Sequence, residues 1–394
     1  MSLILKIAGN EWNNASRDKR ELSVYKELGH NVLVMAKGKE HDYGRVENVD
    51  GFKVLRYTTR PLGTKIPKGL TRLFAIIEWT YYARKINPDV ISGHNLIPGL
   101  TIAWLSTLFK RKKPILIYDS HEFELGRNGV QRNKLTSWLI AKIEKYLMKQ
   151  CAFSIMVNDS IADEVQRIYK LEERPVVLRS TPDYWEIDEK ECIKKRQEFL
   201  DKFRKMKRGG VEYILMYHGA VMGGRGIERL IEAVANFQDI GLVILGNGGQ
   251  QYIESLRELV KKRQVKGKVF FHPSVPIEEL WKFVGAVDIS LAPIELVAKN
   301  HYFSLPNKFF ESIQAMTPII ASEVPEMKRI IDKYGIGLTS KPGNVDDICR
   351  CITKMRSDQD FYQQCKENLK VAKKELCWEN EKKVLIEAFE KIIN

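Results

Sequence analysis

Short apolar runs of strand length alternate with stretches of helical periodicity along most of the chain. Leu3 to Ala8 is the first such run and ends at Gly9. A polar loop, Asn10 to Ser16, leads through Arg17-Asp18-Lys19-Arg20 into a helix over Glu21 to Leu28, which Gly29-His30 stops. Asn31 to Ala36 is the next run, apolar enough for a parallel strand covered on both faces. Strand, helix and strand together take roughly 35 residues, the size of a βαβ unit.

Phe52 to Tyr57 reads as a further strand. Leu70 to Ile86 reads as a helix in which Phe74, Ile77, Trp79, Tyr81, Tyr82 and Arg84 form an aromatic, basic-flanked face. Such a face suits a core or a membrane interface. A short strand over Asp89 to His94 precedes a helix over Gly99 to Phe109. Pro114 to Tyr118 is a strand presenting Asp119-Ser120-His121-Glu122 at its carboxyl end. An amphipathic helix over Lys134 to Lys149, a strand over Phe153 to Val157, a helix over Ser160 to Tyr169 and a strand over Pro175 to Leu178 complete the series. The turn-rich segment Arg179 to Trp185 closes it.

A charged helical segment, Glu186 to Lys207, and Arg208-Gly209-Gly210 lead into a second series. Its first strand, Tyr213 to Tyr217, is joined to a helix over Ile227 to Phe237 by a loop that holds Gly219, Gly223, Gly224, Arg225 and Gly226. A glycine-rich strand-to-helix loop with a basic residue at the helix start is a phosphate site in physical terms. It lacks the Gly-Lys-Ser/Thr ending of a Walker loop. Gly241 to Leu245 is a strand ending in Gly246-Asn247-Gly248-Gly249, and Lys268 to His272 is another, before Pro273. A helix over Pro276 to Val284 and a strand over Ile289 to Pro293 follow.

Val297 to Phe303 is read as a loop carrying Lys299, Asn300 and His301. Ser304, as a capping hydroxyl, and Pro306 signal a helix start. That helix buries Phe309, Phe310, Ile313 and Met316, stops at Thr317-Pro318, and leads to a strand over Ile319 to Ser322. Its first turn offers unpaired backbone N–H groups and the positive end of the dipole. Lys308 adds a full charge there, and Glu311, one turn further in, can accept hydrogen bonds from sugar hydroxyls. Taken alone, the stretch fits an ordinary amphipathic helix with Lys308 and Glu311 solvated equally well. Residues 346–355 and 359–393 are helical, with Trp378 starting the terminal helix.

Two strand–helix series of similar size imply two Rossmann-like domains, with a ligand in the cleft between them as the default expectation. Ligands of open α/β sheets sit at the carboxyl ends of strands. Gly9, His94 and His121 all occupy such ends, and His121, between acidic neighbours, is the better candidate for polar chemistry. The domains are expected over 1–185 and 186–375, with 376–394 a helix packing back on the first.

Composition adds class and compartment. Hydrophobic residues make up 44% and charged residues 29%, as in soluble globular proteins. No apolar run reaches the ~18 residues that cross a bilayer. The first residues read as a strand rather than a signal peptide, so a cytoplasmic location is expected. The six cysteines have no metal-ligand spacing and read as reduced, mostly buried thiols. Net charge is +14, with 30 basic and 19 acidic residues in 1–180 against 34 and 31 in 181–394. The excess includes Lys110-Arg111-Lys112-Lys113 and the spread Arg56, Arg60, Lys65, Lys68 and Arg72. It fits a polyanionic partner, such as anionic lipid headgroups or nucleic acid, or simply a soluble basic surface.

In combination these motifs resemble the family-4, retaining, nucleotide-sugar glycosyltransferases of the GT-B fold. The resemblance runs over nearly the whole chain and is strongest from Tyr217 to Ser322. Tyr217-His218-Gly219-Ala220 with Arg225-Gly226-Ile227 is similar to the family's first loop of the donor domain, where the basic residue holds the donor diphosphate. Gly246-Asn247-Gly248 is similar to its next strand end, and Phe271-His272-Pro273 to the segment beside the base. Ser304-Leu305-Pro306-Asn307-Lys308-Phe309-Phe310-Glu311 resembles the end of its Glu-x7-Glu motif, so Glu311 would bind the nucleotide ribose. Arg17-Asp18-x-Arg20, Gly29-His30 and Tyr118-Asp119-Ser120-His121-Glu122 match a subgroup pattern whose active-site histidine would be His121. Three positions depart from it. Phe303 stands where the first glutamate belongs, Ala220 replaces the loop's first basic residue, and Asn13-Asn14-Ala15-Ser16 replaces the Gly-Gly loop.

The resemblance implies an α/β protein with two facing Rossmann-like domains and a central cleft. It implies hexosyl transfer, with retention and no metal or other cofactor, from a nucleoside diphosphate sugar to a glycan or lipid-linked acceptor in surface polysaccharide synthesis. His121, Arg225 and Lys308 would be catalytic. Gly219, Gly246, Asn247, Pro273, Ser304 to Asn307 and Glu311 would hold the donor, and Arg17, Arg20, His94 and Glu122 would face the acceptor. Glu295 or His301 is a candidate to replace the missing acid. The basic N-terminal half fits peripheral attachment to an anionic membrane. Two alternatives stand beside this: a sugar-nucleotide epimerase on the same fold, and a non-enzymatic nucleic-acid binder. The second is suggested by the pI near 9.3 but has no recognisable nucleic-acid motif.

Overall fold

The structure, a computed structural model, describes the chain except residues 13–15, 39–43, 58–67, 128–132, 207–209 and 394, and at 68, 69 and 72 the backbone alone. The readings placed on Asn13 to Ala15, Arg60, Lys65, Arg208 and Gly209, and on the side chains of Lys68 and Arg72, lie outside the described residues. Two compact units form, Met1–Arg179 with Lys382–Asn394, and Ser180–Glu381.

The first unit runs β1 (Leu3–Ala8), α1 (Ser16–Glu27), β2 (Asn31–Lys37), β3 (Val46–Val49), β4 (Phe52–Tyr57), α2 (Lys68–Ile86), β5 (Val90–His94), α3 (Thr101–Thr107), β6 (Ile115–Ser120), α4 (Lys134–Met148), β7 (Phe153–Met156), α5 (Asp159–Tyr169) and β8 (Val176–Val177). Its eight strands lie in the order β3-β4-β2-β1-β5-β6-β7-β8, all parallel except β3 against β4. From β4 onward the chain moves across the sheet in one direction, so right-handed crossovers put α2, α3, α4 and α5 on one face and α1 on the other. Leu5, Ile7, Trp79, Ala83, Ile91 and Ile102 build the core between sheet and helices on the first face.

The second unit contains α6 (Glu189–Met206), β9 (Tyr213–His218), α7 (Ile227–Val234), β10 (Ile240–Leu245), α8 (Gln250–Lys262), β11 (Val269–His272), α9 (Ile277–Val284), β12 (Ile289–Ala292), α10 (Lys299–Tyr302), α11 (Asn307–Gln314), β13 (Ile319–Ser322), α12 (Pro325–Tyr334), β14 (Gly337–Ser340), α13 (Val345–Ser357) and α14 (Gln359–Glu375). Its parallel sheet has the order β11-β10-β9-β12-β13-β14. The strand order reverses between β9 and β12, and ligands of such sheets sit at the carboxyl ends of the strands there. The terminal helix α15 (Trp378–Ile393) begins in the second unit and ends on the first. There Phe389 stacks on Tyr25 at 4.4 Å and Lys382 pairs with Glu27 at 3.1 Å.

Several expectations need correction. β3, α8, α12 and β14 are not among the expected elements, although α12 has Pro325 in its first turn and a left-handed Gly335 at its end. The helix expected over Gly99 to Phe109 is present as α3 but begins at Thr101, because Gly99 and Leu100 end a kinked turn over Asn95–Leu100. The stretch 297–303 is not all loop, because α10 forms within it. Ser304 does not cap α11. Its own N–H bonds the His301 carbonyl at the end of α10, and Pro306 takes the N-cap place with no side-chain cap. Arg56 is not a surface cation. It is buried, bonding Glu47 at 2.5 Å, the Lys37 carbonyl at 3.2 Å and the Glu11 carbonyl.

Candidate functional site

The second unit gathers its chemistry at the switch between β9 and β12. The backbone there comes unusually close. A Cβ on Gly246, at φ +151°, would lie 1.9 Å from the Gly219 carbonyl oxygen, so only glycine lets the loops after β9 and β10 touch. Asn247 then ties this end to the loop after β11, donating to Ser274 Oγ at 2.6 Å and accepting from its N–H at 3.1 Å. Pro273, in the same loop, is exposed.

Lys308, in the first turn of α11, is the unusual group. It is only 8% exposed, and its Nζ lies 3.4 Å from the centre of the Tyr217 ring and close to Gly219. It has no hydrogen-bond partner among the described residues. Burial, and then the nearby Arg225 charge, hold its pKa well below the usual lysine value, with Glu311 opposing. Arg225 is half-buried in the loop after β9 and also makes no hydrogen bond or ion pair among the described residues. Two basic side chains and an uncapped helix start therefore converge, with the Glu311 carboxylate one turn further in. Glu311 accepts from His218 at 3.1 Å, which fixes its carboxylate one turn into the helix. Ser304, Leu305 and Pro306 are half-buried and Asn307 is exposed, at the same helix start.

The two candidates to replace the missing acid are tied elsewhere. His301 donates from Nδ1 to the Glu295 carbonyl at 2.5 Å, and the Glu295 carboxylate pairs with Arg229 at 3.3 Å. Phe303 is buried.

The first unit has a second polar centre. Lys6, in the middle of the apolar strand β1, is fully buried, and its Nζ meets Glu21 at 2.6 Å, Asp119 at 2.6 Å and Asp18 at 3.2 Å. Arg17 donates to Asp119 at 2.8 Å, while its Nε and Nη1 are buried without partners among the described residues. His94 meets Asp18 at 3.1 Å, His121 meets Asp119 at 3.0 Å, and the two imidazoles lie 4.1 Å apart. The His121 N–H donates to Asn95 at 3.0 Å.

These contacts set the charges. Burial and Arg17 push the His121 pKa down, yet Asp119 and Asp18 together raise it. Burial, then the neighbouring His121, lowers that of His94. Burial would raise Asp119, but Arg17 and Lys6 hold it well below the usual carboxylate range. Burial also lifts Glu21 to about 7 against the pull of Lys6. Asp18, His94, Asp119 and His121 bring four potential metal-ligating atoms within 4.8 Å of one another. The Lys6 ammonium lies on Asp18 Oδ1 and Asp119 Oδ2, so it competes for those two oxygens with any cation that would bind there. Arg20 is half-buried on α1, and Glu122 is exposed with its carboxylate on Arg127 at 3.2 Å.

Residues 199–371 match the family model described as glycosyl transferases group 1, and residues 23–180 the one described as Glycosyltransferase Family 4. The chain belongs to the glycosyltransferases of the GT-B fold. An uncharacterised glycosyltransferase of Methanocaldococcus jannaschii is 25% identical over 352 residues, which is 87% of this chain and 84% of that one. Among solved structures, HepE of Anabaena with UDP-glucose superposes with a TM-score of 0.75 at 14% identity, over 100% of this chain and 99% of that one. Sucrose-phosphate synthase of Thermosynechococcus elongatus gives 0.77 at 15% identity, over 99% of each chain.

In this glycosyltransferase the sequence had pointed to His121, His94 and Arg17, and the structure brings all three into one cluster. It had passed over Lys6, Asp18, Glu21 and Asp119 as participants. One signal was present: a lysine inside an apolar strand has to find buried counter-charges.

Proposed function

We propose that this glycosyltransferase moves a hexosyl unit from a nucleoside diphosphate sugar to an acceptor hydroxyl, with retention and without a bound metal. The acceptor is a glycan or lipid-linked glycan of surface polysaccharide synthesis. The reading rests above all on Lys308. A buried ammonium held only by an aromatic ring, with no hydrogen-bond partner among the described residues, is costly unless something supplies an anion. A diphosphate supplies one, and the uncapped start of α11 and Arg225 reinforce its binding. The UDP-glucose bound to HepE is a donor of that class.

In the reaction the bond from the sugar C1 to the diphosphate oxygen breaks, and its electron pair leaves with the diphosphate. The acceptor oxygen bonds C1 on the same face, and its proton passes to the released diphosphate. Arg225, Lys308 and the helix start stabilise the charge growing on the leaving group, as electrostatic preorganisation requires. Glu311 takes the ribose hydroxyls. His121, whose pKa Asp119 and Asp18 raise, orients the sugar or acceptor by hydrogen bonding rather than acting as a classical base. Arg17 and His94 belong to the same acceptor-side set.

A thermal-shift screen of nucleoside diphosphates and their sugars tests this, with Arg225→Ala alongside. Stabilisation of the native protein by one nucleotide series, absent in a folded Arg225→Ala, is expected. Wild-type stabilisation or transfer in that variant would remove the diphosphate assignment, and conversion of the donor alone into an epimer would favour the epimerase.

A further inference from the structure

The helices on one face of the first unit are turned the wrong way for a solvated protein. On α2, Leu70, Leu73, Phe74, Ile77 and Tyr81 recur at helical spacing, and all are at least 40% exposed. The opposite stripe, Ala75, Trp79 and Ala83, is the one that packs on the sheet. On α4, Leu135, Trp138, Leu139, Ile143 and Tyr146 form a second apolar stripe, each at least 42% exposed. The inward face of α4 carries Leu147, Met148 and a carboxylate. Glu144 is buried and accepts from Tyr118 at 2.7 Å and Tyr169 at 2.6 Å. Those two bonds set the rotation of the helix about its axis, so its apolar stripe has no route into the core.

The stripes belong to one layer. The crossovers place α2, α3 and α4 on the same side of the sheet. Trp104 of α3 meets Tyr146 of α4 edge-on at 5.8 Å. Between α2 and α3 a groove is lined by Ile77, Tyr81, Leu105, Leu108 and Phe109, with Arg84 and Lys85 at its edge, and Phe109 is 94% exposed. Charge within the layer has one sign. Residues 68–86, 101–113 and 134–149 hold twelve Lys and Arg against two acids, Glu78 and the buried Glu144. Glu78 is half-buried as well, so no acid on these three segments is exposed.

We propose that this face is a docking surface for an anionic lipid membrane. Apolar and aromatic side chains at helical spacing, flanked by Lys and Arg, match the boundary between acyl chains and headgroups. The cationic margin matches acidic headgroups. Among the described residues no helix is long and apolar enough to cross a bilayer, so α2 and α4 lie on its surface. This goes beyond a basic surface in general: it names the helices that enter the interface, and it stands apart from the donor-site reading.

Flotation of the full-length protein with phosphatidylglycerol-containing vesicles, and with phosphatidylcholine vesicles alone, tests it. Binding to the anionic vesicles that salt weakens is expected. The double variant Ile77→Asp, Leu139→Asp should lose at least about ten-fold in partitioning while keeping the wild-type circular dichroism and nucleotide-induced thermal shift. Lys110→Glu with Lys112→Glu should remove the preference for anionic lipid. Failure of the native protein to float with anionic vesicles, or wild-type flotation of the Ile77→Asp, Leu139→Asp variant, would overturn the proposal. So would a lipid-free dimer in sedimentation velocity that the same variant disperses, since that assigns the face to a second copy of the chain.

Discussion

Replacing Lys308 by methionine should make the empty protein more stable and the donor site useless. The ammonium is 8% exposed, has no hydrogen-bond partner among the described residues, and lies near the Arg225 charge. The effective penalty for burying such an ion is several kcal/mol. The Tyr217 ring, 3.4 Å from Nζ at its centre, returns about 2 kcal/mol of that. The remaining cost is on the order of 1–3 kcal/mol, and methionine of similar length removes it without opening a cavity. For a unit of this size 1 kcal/mol moves Tm by roughly 2–4 °C, so the second unit's transition should rise by about 2–12 °C. Titration gives the same sign. A lysine whose folded pKa is depressed destabilises fully below that pKa, and the penalty fades as pH rises towards the unfolded value of ~10.4. The gap between variant and wild type should therefore narrow in alkaline buffer. Ligand reverses the order: a nucleoside diphosphate at a hundred times Kd adds about 2.7 kcal/mol to the wild type and little to the variant. Differential scanning calorimetry with and without nucleotide reads all of these. A Lys308→Met protein less stable than wild type by more than ~1 kcal/mol, or one that binds the diphosphate normally, would refute the reasoning.

Lys6, buried among carboxylates, should behave oppositely. Lys6→Met strands three carboxylates that now hold the ammonium at 2.6–3.2 Å, and should cost ~3–5 kcal/mol, read as a lower transition of the first unit. Adding Glu21→Gln should recover part of that, and a loss below ~1 kcal/mol would show that Lys6 is not holding the cluster. Gly246→Ala drives a Cβ to 1.9 Å from the Gly219 carbonyl and should cost ~1–3 kcal/mol and weaken nucleotide binding, whereas Gly249→Ala, with nothing within 4 Å, should change neither in the same titration.

The local pattern was sufficient for what is local. Leu3–Ala8, Phe52–Tyr57 and Ile319–Ser322 stand where their apolar runs placed them, and Trp378 starts the terminal helix, because strand length and turn chemistry are written in neighbouring residues. Two strand–helix series, and hence two parallel-sheet units, follow from their repetition. The glycine-rich loop and Lys308 suggested an anion site, but not whether Lys308 was solvated. Tertiary structure decided that by closing Tyr217 and the Gly219 loop over it. It also decided that Lys6 meets Asp119 across 113 residues, a partnership no local spacing encodes. The same holds for α4. Its sequence reads as an amphipathic helix, which does not say which way its apolar stripe faces. Tyr118 and Tyr169 capture Glu144 and turn that stripe to the solvent, because a buried carboxylate must be satisfied while an exposed leucine need not be.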